Sequence, residues 1–226
     1  MADILFVLTG ARAWTLNDGT AHPTGFWAEE AVVPYRAFTE AGHRVAAATP
    51  AGVVPVADGA SLTDPATAEE LEKIAEFRKP LVLAEVDPAD YDAVFYPGGH
   101  GPMEDLAVDP DSGRLLTRAL ASGRPLGVVC HGPAALLAAR AEGGGSPFAG
   151  YRITAFTNAE EVQGGLADRA PWLLQDRLVE LGVDFEEGEP WAPHVVVDRN
   201  LVTGQNPASS GLLATELLKL LDASQA

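Results

Sequence analysis

Residues Pro125–Ala139 read PLGVVCHGPAALLAA. The run opens with Leu126, Val128 and Val129, an apolar, β-branched composition suited to a strand buried on both faces. It closes with Ala134–Ala139, a helix-forming run. Only Cys130, His131, Gly132 and Pro133 lie between them. A strand that becomes a helix over two or three residues forces the turning residue into a strained backbone and lifts its side chain off the sheet. The chain's single cysteine occupies that turn. Pro133 suits the first turn of the helix that follows, whose free N–H groups and positive dipole end favour a thiolate. A lone cysteine among apolar residues is most often a small buried hydrophobe. The strand–Cys–His–Gly–Pro–helix order favours a nucleophile elbow presenting an ionised sulfur.

Working outward, the spacing predicts alternating strands and helices. Ile4–Thr9 reads as a first, central strand closed by Gly10, and Ala11–Gly25 as a loop on the active face. Phe26–Ala41 reads as a helix broken or kinked at Pro34, and His43–Ala48 as the second strand of a βαβ unit. Pro50–Asp64 is irregular, with a short hairpin through Val53–Val56. Pro65–Phe77 carries acids early and bases late, as a helix dipole prefers. Asp64–Asp90 is expected to be an insertion or lid carrying that surface helix. Tyr91–Tyr96 is a buried strand stopped by Pro97–Gly101, Asp111–Ala121 a helix, and Tyr151–Phe156 a strand leading into a turn or short helix at Thr157–Val162. Ala170–Leu181 has helical spacing, Val183–Glu189, His194–Asp198 and Leu201–Gly204 read as strands, and Ser209–Leu221 as the last helix. With no repeat and no long linker, residues 1–226 are expected to form one α/β domain. It is a flavodoxin-like three-layer sandwich, its mostly parallel sheet flanked by helices on both faces, with a lid or insertion around 50–90.

Composition narrows the function classes. Hydrophobic residues make up 47% and charged residues 21%, an ordinary globular balance, and the net charge is -17. Such negative charge repels phosphate backbones and anionic lipid, so neither nucleic acid nor membrane is expected as a partner. One cysteine excludes an internal disulfide framework and cysteine-based zinc sites. MADILFVLTG lacks the basic start and long apolar core of a signal peptide. No run approaches the about 18 apolar residues that span a bilayer. A reduced, cytoplasmic setting is expected.

An activated cysteine needs a base, an oxyanion stabiliser and a group that orients the base. In open α/β sheets these collect at the carboxyl ends of the strands. His131 is adjacent to Cys130, although neighbours in a tight turn point different ways, and a solvent-facing histidine is the plainer reading. Gly98 and Gly99 allow exposed N–H groups to meet an oxyanion, or make a simple turn. Glu161 lies past Arg152–Phe156, where a carboxylate could orient His131 or merely be solvated. Glu30 follows the apolar pair Phe26-Trp27, where desolvation would raise its proton affinity. At most one of Glu29 and Glu30 can face inward. Trp14, Trp27 and Trp191 are candidates for a pocket mouth restricted to small substrates.

These pieces resemble the ThiJ/PfpI superfamily with its class I glutamine amidotransferase-like fold, in the branch of heat-shock chaperones and glutathione-independent glyoxalases (glyoxalase III). The matching segments are TGFWAEE (Thr24–Glu30), YPGGHG (Tyr96–Gly101), VVCHGPA (Val128–Ala134), ITAFTNAEE (Ile153–Glu161) and LVTGQNPASS (Leu201–Ser210). The elbow and the NPAS segment are the most specific. The resemblance implies Cys130 as nucleophile beside His131, Glu30 in contact with the cysteine, and Glu161 completing a Cys-His-Glu triad. It implies an oxyanion hole from the N–H groups of Gly99 and His131, and a homodimer. The longer chaperone members carry an N-terminal extension with a metal site that this sequence lacks, so neither strong holdase activity nor bound metal is expected.

The implied activity is conversion of methylglyoxal and related 2-oxoaldehydes to 2-hydroxy acids through a Cys130 hemithioacetal, with no cofactor. One alternative is a stress chaperone, or an oxidant sensor acting through Cys130. Another is a peptidase or glutamine amidotransferase. Amidotransferase elbows read Gly-x-Cys-x-Gly and take histidine from far downstream, whereas here Val128 precedes Cys130 by two and His131 is next door. Deglycation of proteins is a further activity claimed for the family, inseparable in sequence from aldehyde removal.

Overall fold

The computed structural model describes residues 1–224. Its strands are β1 (Asp3–Val7), β2 (Ala13–Thr15), β3 (Ala21–Pro23), β4 (Arg44–Thr49), β5 (Leu81–Val82), β6 (Ala93–Tyr96), β7 (Leu126–Val129), β8 (Arg152–Ile153), β9 (Asp184–Phe185), β10 (Val195–Asp198) and β11 (Leu201–Gly204). Its helices are α1 (Ala28–Glu40), α2 (Pro65–Lys73), α3 (Gly101–Glu104), α4 (Pro110–Ala121), α5 (Asn158–Gly164), α6 (Leu174–Glu180) and α7 (Ser210–Ser224). Seven strands form the main sheet in the order β10-β11-β7-β6-β1-β4-β5. All neighbours are parallel except the β10–β11 pair. The sheet is doubly wound, as the β-branched strands and intervening helices predict.

The central strands β1, β6 and β7 are almost wholly buried, because helices cover the sheet. α1 and α7 pack together and against β4, β7 and β11, while α4 packs with residues 132–138 on the other side. The chain leaves β1 for β4 and β5 on one flank, then returns to β6 and β7 on the other. That reversal opens a crevice at the carboxyl ends of β1, β6 and β7, the usual ligand position in such sheets.

Several expectations are corrected locally. α1 runs unbroken through Pro34. Proline removes one N–H from the helix ladder, and burial of Val32 and Phe38 against the sheet and α7 offsets that loss. Ala11–Gly25 is no plain loop, since β2 and β3 pair within it. Val53–Val56 forms no hairpin; Val56 offers its carbonyl to Phe26 N–H at 3.0 Å. Residues 50–90 supply the sheet's edge strand β5 as well as the surface helix α2. The expected strand at Tyr151–Phe156 shrinks to β8, since the next amides bind elsewhere: Thr154 N–H to Thr203 Oγ1 at 2.9 Å and Phe156 N–H to Cys130 O at 2.9 Å. The helix after the elbow is a tight 3-10 turn over Gly132–Ala138 rather than an α-helix. No described helix is long and apolar enough to cross a membrane.

Candidate active site

Cys130 has φ of 58°, one of only four described non-glycine residues in the left-handed region. That conformation costs an L-residue on the order of 1–2 kcal/mol. It is held from both sides: Cys130 N–H donates to Gly204 O of β11 at 2.9 Å, and Cys130 O accepts from Phe156 N–H. The elbow anticipated from sequence is therefore present, and the strain falls on the cysteine itself.

The same turn swings His131 back over its neighbour. His131 Nδ1 lies 3.3 Å from Cys130 Sγ, and His131 Nε2 lies 2.7 Å from Glu161 Oε2. Adjacent residues thus form the Cys130–His131–Glu161 triad. The carboxylate accepts the Nε2 proton, which leaves the Nδ1 lone pair facing the thiol. Glu161 is positioned by α5, whose first turn is fixed by a capping box between Thr157 and Glu160. Phe156 lies against the His131 ring at 4.4 Å between centroids and limits its rotation.

Glu30 is fully buried near the start of α1, while Glu29 is exposed, so the inward residue of the pair is the expected one. Glu30 Oε2 accepts from Gly98 N–H at 2.7 Å, and its Oε1 has no hydrogen-bond partner. The Cys130 thiol is close enough for the two acids to act on each other. Burial pushes the Glu30 carboxyl up to about 8. At neutral pH it mostly holds its proton.

The histidine and its carboxylate move the other way. Burial, and then the neighbouring His100, depress His131 to about 4, so the ring is neutral with one nitrogen lone pair free. Burial alone would raise Glu161, but the two histidines around it hold it well below the usual carboxylate range.

The expected ionisation of the sulfur is corrected, while its place on a pocket is found. Cys130 is 3% exposed, and burial together with the Glu30 carboxylate pushes its thiol well above the ordinary value. The short 3-10 turn that follows supplies no long α-helical dipole to reverse this. The N–H groups of Gly99 and His131 do favour the charged sulfur. The resting group is a thiol with a neutral imidazole 3.3 Å away, placed to take its proton.

Gly98 and Gly99 make the oxyanion side possible. A Cβ on Gly98 would stand 2.6 Å from His131 N and 2.8 Å from Glu30 Oε2. Gly99 has φ of 86°, and a Cβ there would stand 2.6 Å from Trp27 N. With the Gly98 N–H committed to Glu30, the Gly99 and His131 N–H groups remain directed at the sulfur and at any oxyanion formed beside it.

Cys130, His131 and Glu161 open onto a cavity of about 560 Å³ walled by Trp27, Phe156 and Trp191. Trp14 is not at its mouth: it is 1% exposed and stacks behind His100 at 5.1 Å. Two residues escaped the sequence reading. His100 Nε2 lies 2.9 Å from Glu161 Oε1, so one carboxylate serves two histidines. Its position straight after Gly98-Gly99 was the available signal. Glu160 is also buried; its Oε1 accepts from Trp191 N–H and Asn206 Nδ2, each at 2.8 Å. The pairing of glutamates concealed that both face inward.

Comparison with known proteins matches the chain and its fold to characterised sequences and structures. A profile of the DJ-1/PfpI family matches residues 22–220. The chain is similar to Protein/nucleic acid deglycase HchA of Staphylococcus aureus (strain Newman), 29% identical over 224 residues, covering 93% of this chain and 76% of that one. Glutamine amidotransferase-like class 1 domain-containing protein 1 of Homo sapiens is 35% identical over 148 residues, covering 66% of this chain and 67% of the relative. Among solved structures, glyoxalase III from Candida albicans superposes with TM-score 0.85 at 25% identity, covering 96% of each chain. Rapid Encystment Protein 24 kDa of Francisella tularensis superposes with TM-score 0.88 at 27% identity, covering 98% of this chain and 99% of that one.

Proposed function

The chain belongs to the DJ-1/PfpI family, and from that premise we propose that it is a glutathione-independent glyoxalase acting on methylglyoxal and related 2-oxoaldehydes. The observation that carries the reading is the Cys130–His131–Glu161 array beside a protonated, buried Glu30. The similarity to a glyoxalase III structure and to a deglycase supports it.

His131 Nδ1 takes the thiol proton as Sγ bonds to the aldehyde carbon. The carbonyl oxygen becomes the oxyanion held by the Gly99 and His131 N–H groups, and gains a proton to give the hemithioacetal. Removal of the hydrogen on that carbon and protonation at the neighbouring ketone carbon pass through an enediol, with Glu30 and His131 carrying the protons. The aldehyde carbon is oxidised and the ketone carbon reduced within one molecule, so no external oxidant is needed. Water then cleaves the thioester, releasing D-lactate and restoring the thiol.

Incubation with methylglyoxal and a chiral lactate assay tests this. D-lactate formation by wild type and none by Cys130→Ala is the expected result; equal turnover by the variant rules the mechanism out. A second reading, removal of dicarbonyl adducts from larger molecules, is favoured by the cavity of about 560 Å³, which is roomy for a three-carbon aldehyde. Release of free arginine or cysteine from a preformed adduct faster than its spontaneous decay would distinguish it. We also propose a homodimer and a reduced cytoplasmic setting, the former measurable by sedimentation.

A further inference from the structure

Glu161 is unusual in this site because it is shared. Its Oε1 meets His100 Nε2 at 2.9 Å and its Oε2 meets His131 Nε2 at 2.7 Å. One donor atom from each of His100, His131 and Glu161 lies within 4.8 Å of the other two. A point equidistant from three donors at that limit lies about 2.8 Å from each, so an inward movement of about 0.6–0.8 Å brings them to the about 2.0–2.2 Å of zinc–imidazole and zinc–carboxylate bonds. Two imidazoles and one carboxylate are a borderline-soft donor set that suits Zn²⁺ and disfavours Ca²⁺ or Mg²⁺.

The surroundings hold these donors in place. Trp14 stacks on the His100 ring at 5.1 Å and Phe156 lies against His131 at 4.4 Å. The two imidazoles are 4.1 Å apart between centroids. All three residues line the cavity, which leaves a fourth coordination position open to solvent or a small ligand. His131 Nδ1, on the far side of its ring, faces Cys130 Sγ, so the sulfur is not needed as a ligand.

We infer that His100, His131 and Glu161 form a binding site for a zinc-type divalent cation, reached through the cavity and independent of the cysteine. Occupancy has a chemical consequence. In the triad, His131 Nε2 carries the proton given to Glu161 and Nδ1 offers its lone pair to the thiol. A cation on Nε2 needs that lone pair, which moves the ring proton to Nδ1 and leaves no base facing the sulfur. A bound cation and a working triad therefore exclude one another, and the site would switch the cysteine chemistry off.

The experiment is calorimetric titration of the purified, metal-stripped full chain with Zn²⁺, alongside Cys130→Ala and His100→Gln, each first checked for folding by circular dichroism. Expected are one site per chain in wild type and Cys130→Ala, with affinity at least 30-fold weaker in His100→Gln. Co²⁺ in place of Zn²⁺ should give a four-coordinate ligand-field spectrum without a thiolate charge-transfer band. Equal affinity of wild type and His100→Gln, or loss of binding in Cys130→Ala, would overturn the assignment. Should His100→Gln fail to fold, Glu161→Gln is judged by the same criterion. These readouts need no turnover, so failure of the proposed glyoxalase activity leaves the test intact.

Discussion

Replacing Glu30 with glutamine should stabilise the protein while disabling it. The side chain is fully buried, and its carboxyl rises from 4.5 in the unfolded chain to about 8 in the fold. The folded state therefore binds the proton more tightly than the unfolded one. The stability this confers is complete below about pH 4.5 and is lost as pH rises toward 8, at close to 1.4 kcal/mol per pH unit within the window. Between pH 5 and 8 the loss amounts to about 3 kcal/mol, because the unfolded carboxylate ionises freely while the buried one resists. Glutamine has the same shape, can still accept the Gly98 N–H, and cannot ionise. The difference in unfolding free energy between Glu30→Gln and wild type should grow by about 3 kcal/mol across that range, or roughly 6–12 °C in Tm for a chain of this size. Methylglyoxal turnover should fall by about 10²–10⁴-fold, the usual worth of a positioned proton carrier. Urea unfolding at pH 5, 6, 7 and 8 and a lactate assay measure both sides. Parallel stability curves for the two proteins would refute the reasoning, since Glu30 would then not titrate between its unfolded and folded values.

Other outcomes follow from the same geometry. The kcat/KM profile of wild type should rise through about pH 4 as His131 loses its proton and fall through about pH 8 as Glu30 loses its own; Glu30→Gln should lose the alkaline fall, which a pH series detects. Glu161→Gln should lower turnover by at least 10²-fold with little change in secondary structure, because an amide oxygen can serve one histidine while its NH₂ opposes the other's N–H; circular dichroism separates this from unfolding. Gly99→Ala should destabilise by more than about 2 kcal/mol, given φ of 86° and a methyl 2.6 Å from Trp27 N, a loss that denaturant titration reads directly. Glu160→Gln should loosen the Trp191 segment by weakening its bonds to Trp191 N–H and Asn206 Nδ2; faster hydrogen exchange at Trp191 with an unchanged Cys130 environment is the expected signature.

The elbow was legible because its grammar is local: buried β-branched residues, one cysteine, then Gly132-Pro133 leave little choice of backbone. The strand–helix alternation was legible for the same reason, apart from the β2–β3 pair, the edge strand β5, the 3-10 turn after the elbow, the shortening of Val183–Glu189 to β9, and the extent of Tyr151–Phe156. That stretch has strand composition, yet its amides are taken by Thr203 Oγ1 and Cys130 O, partners distant in sequence. His100 stayed hidden because its role depends on sharing Glu161 across a fold-level contact. Trp14 was misplaced because aromatic content does not say which side of His100 a ring will cover. The protonation of Cys130 was also beyond reach, since it is set by burial and Glu30 rather than by the helix that the sequence announces.

The dependence of the elbow on β11 has a consequence for biosynthesis. A ribosome releases this polypeptide from the amino end, so Cys130 emerges long before Gly204, whose carbonyl secures the cysteine amide. Until that late segment arrives, nothing on that side holds the left-handed bend. A nascent or truncated product should thus display an ordinary, unassisted sulfhydryl, with catalytic competence appearing abruptly near completion of synthesis rather than accumulating gradually.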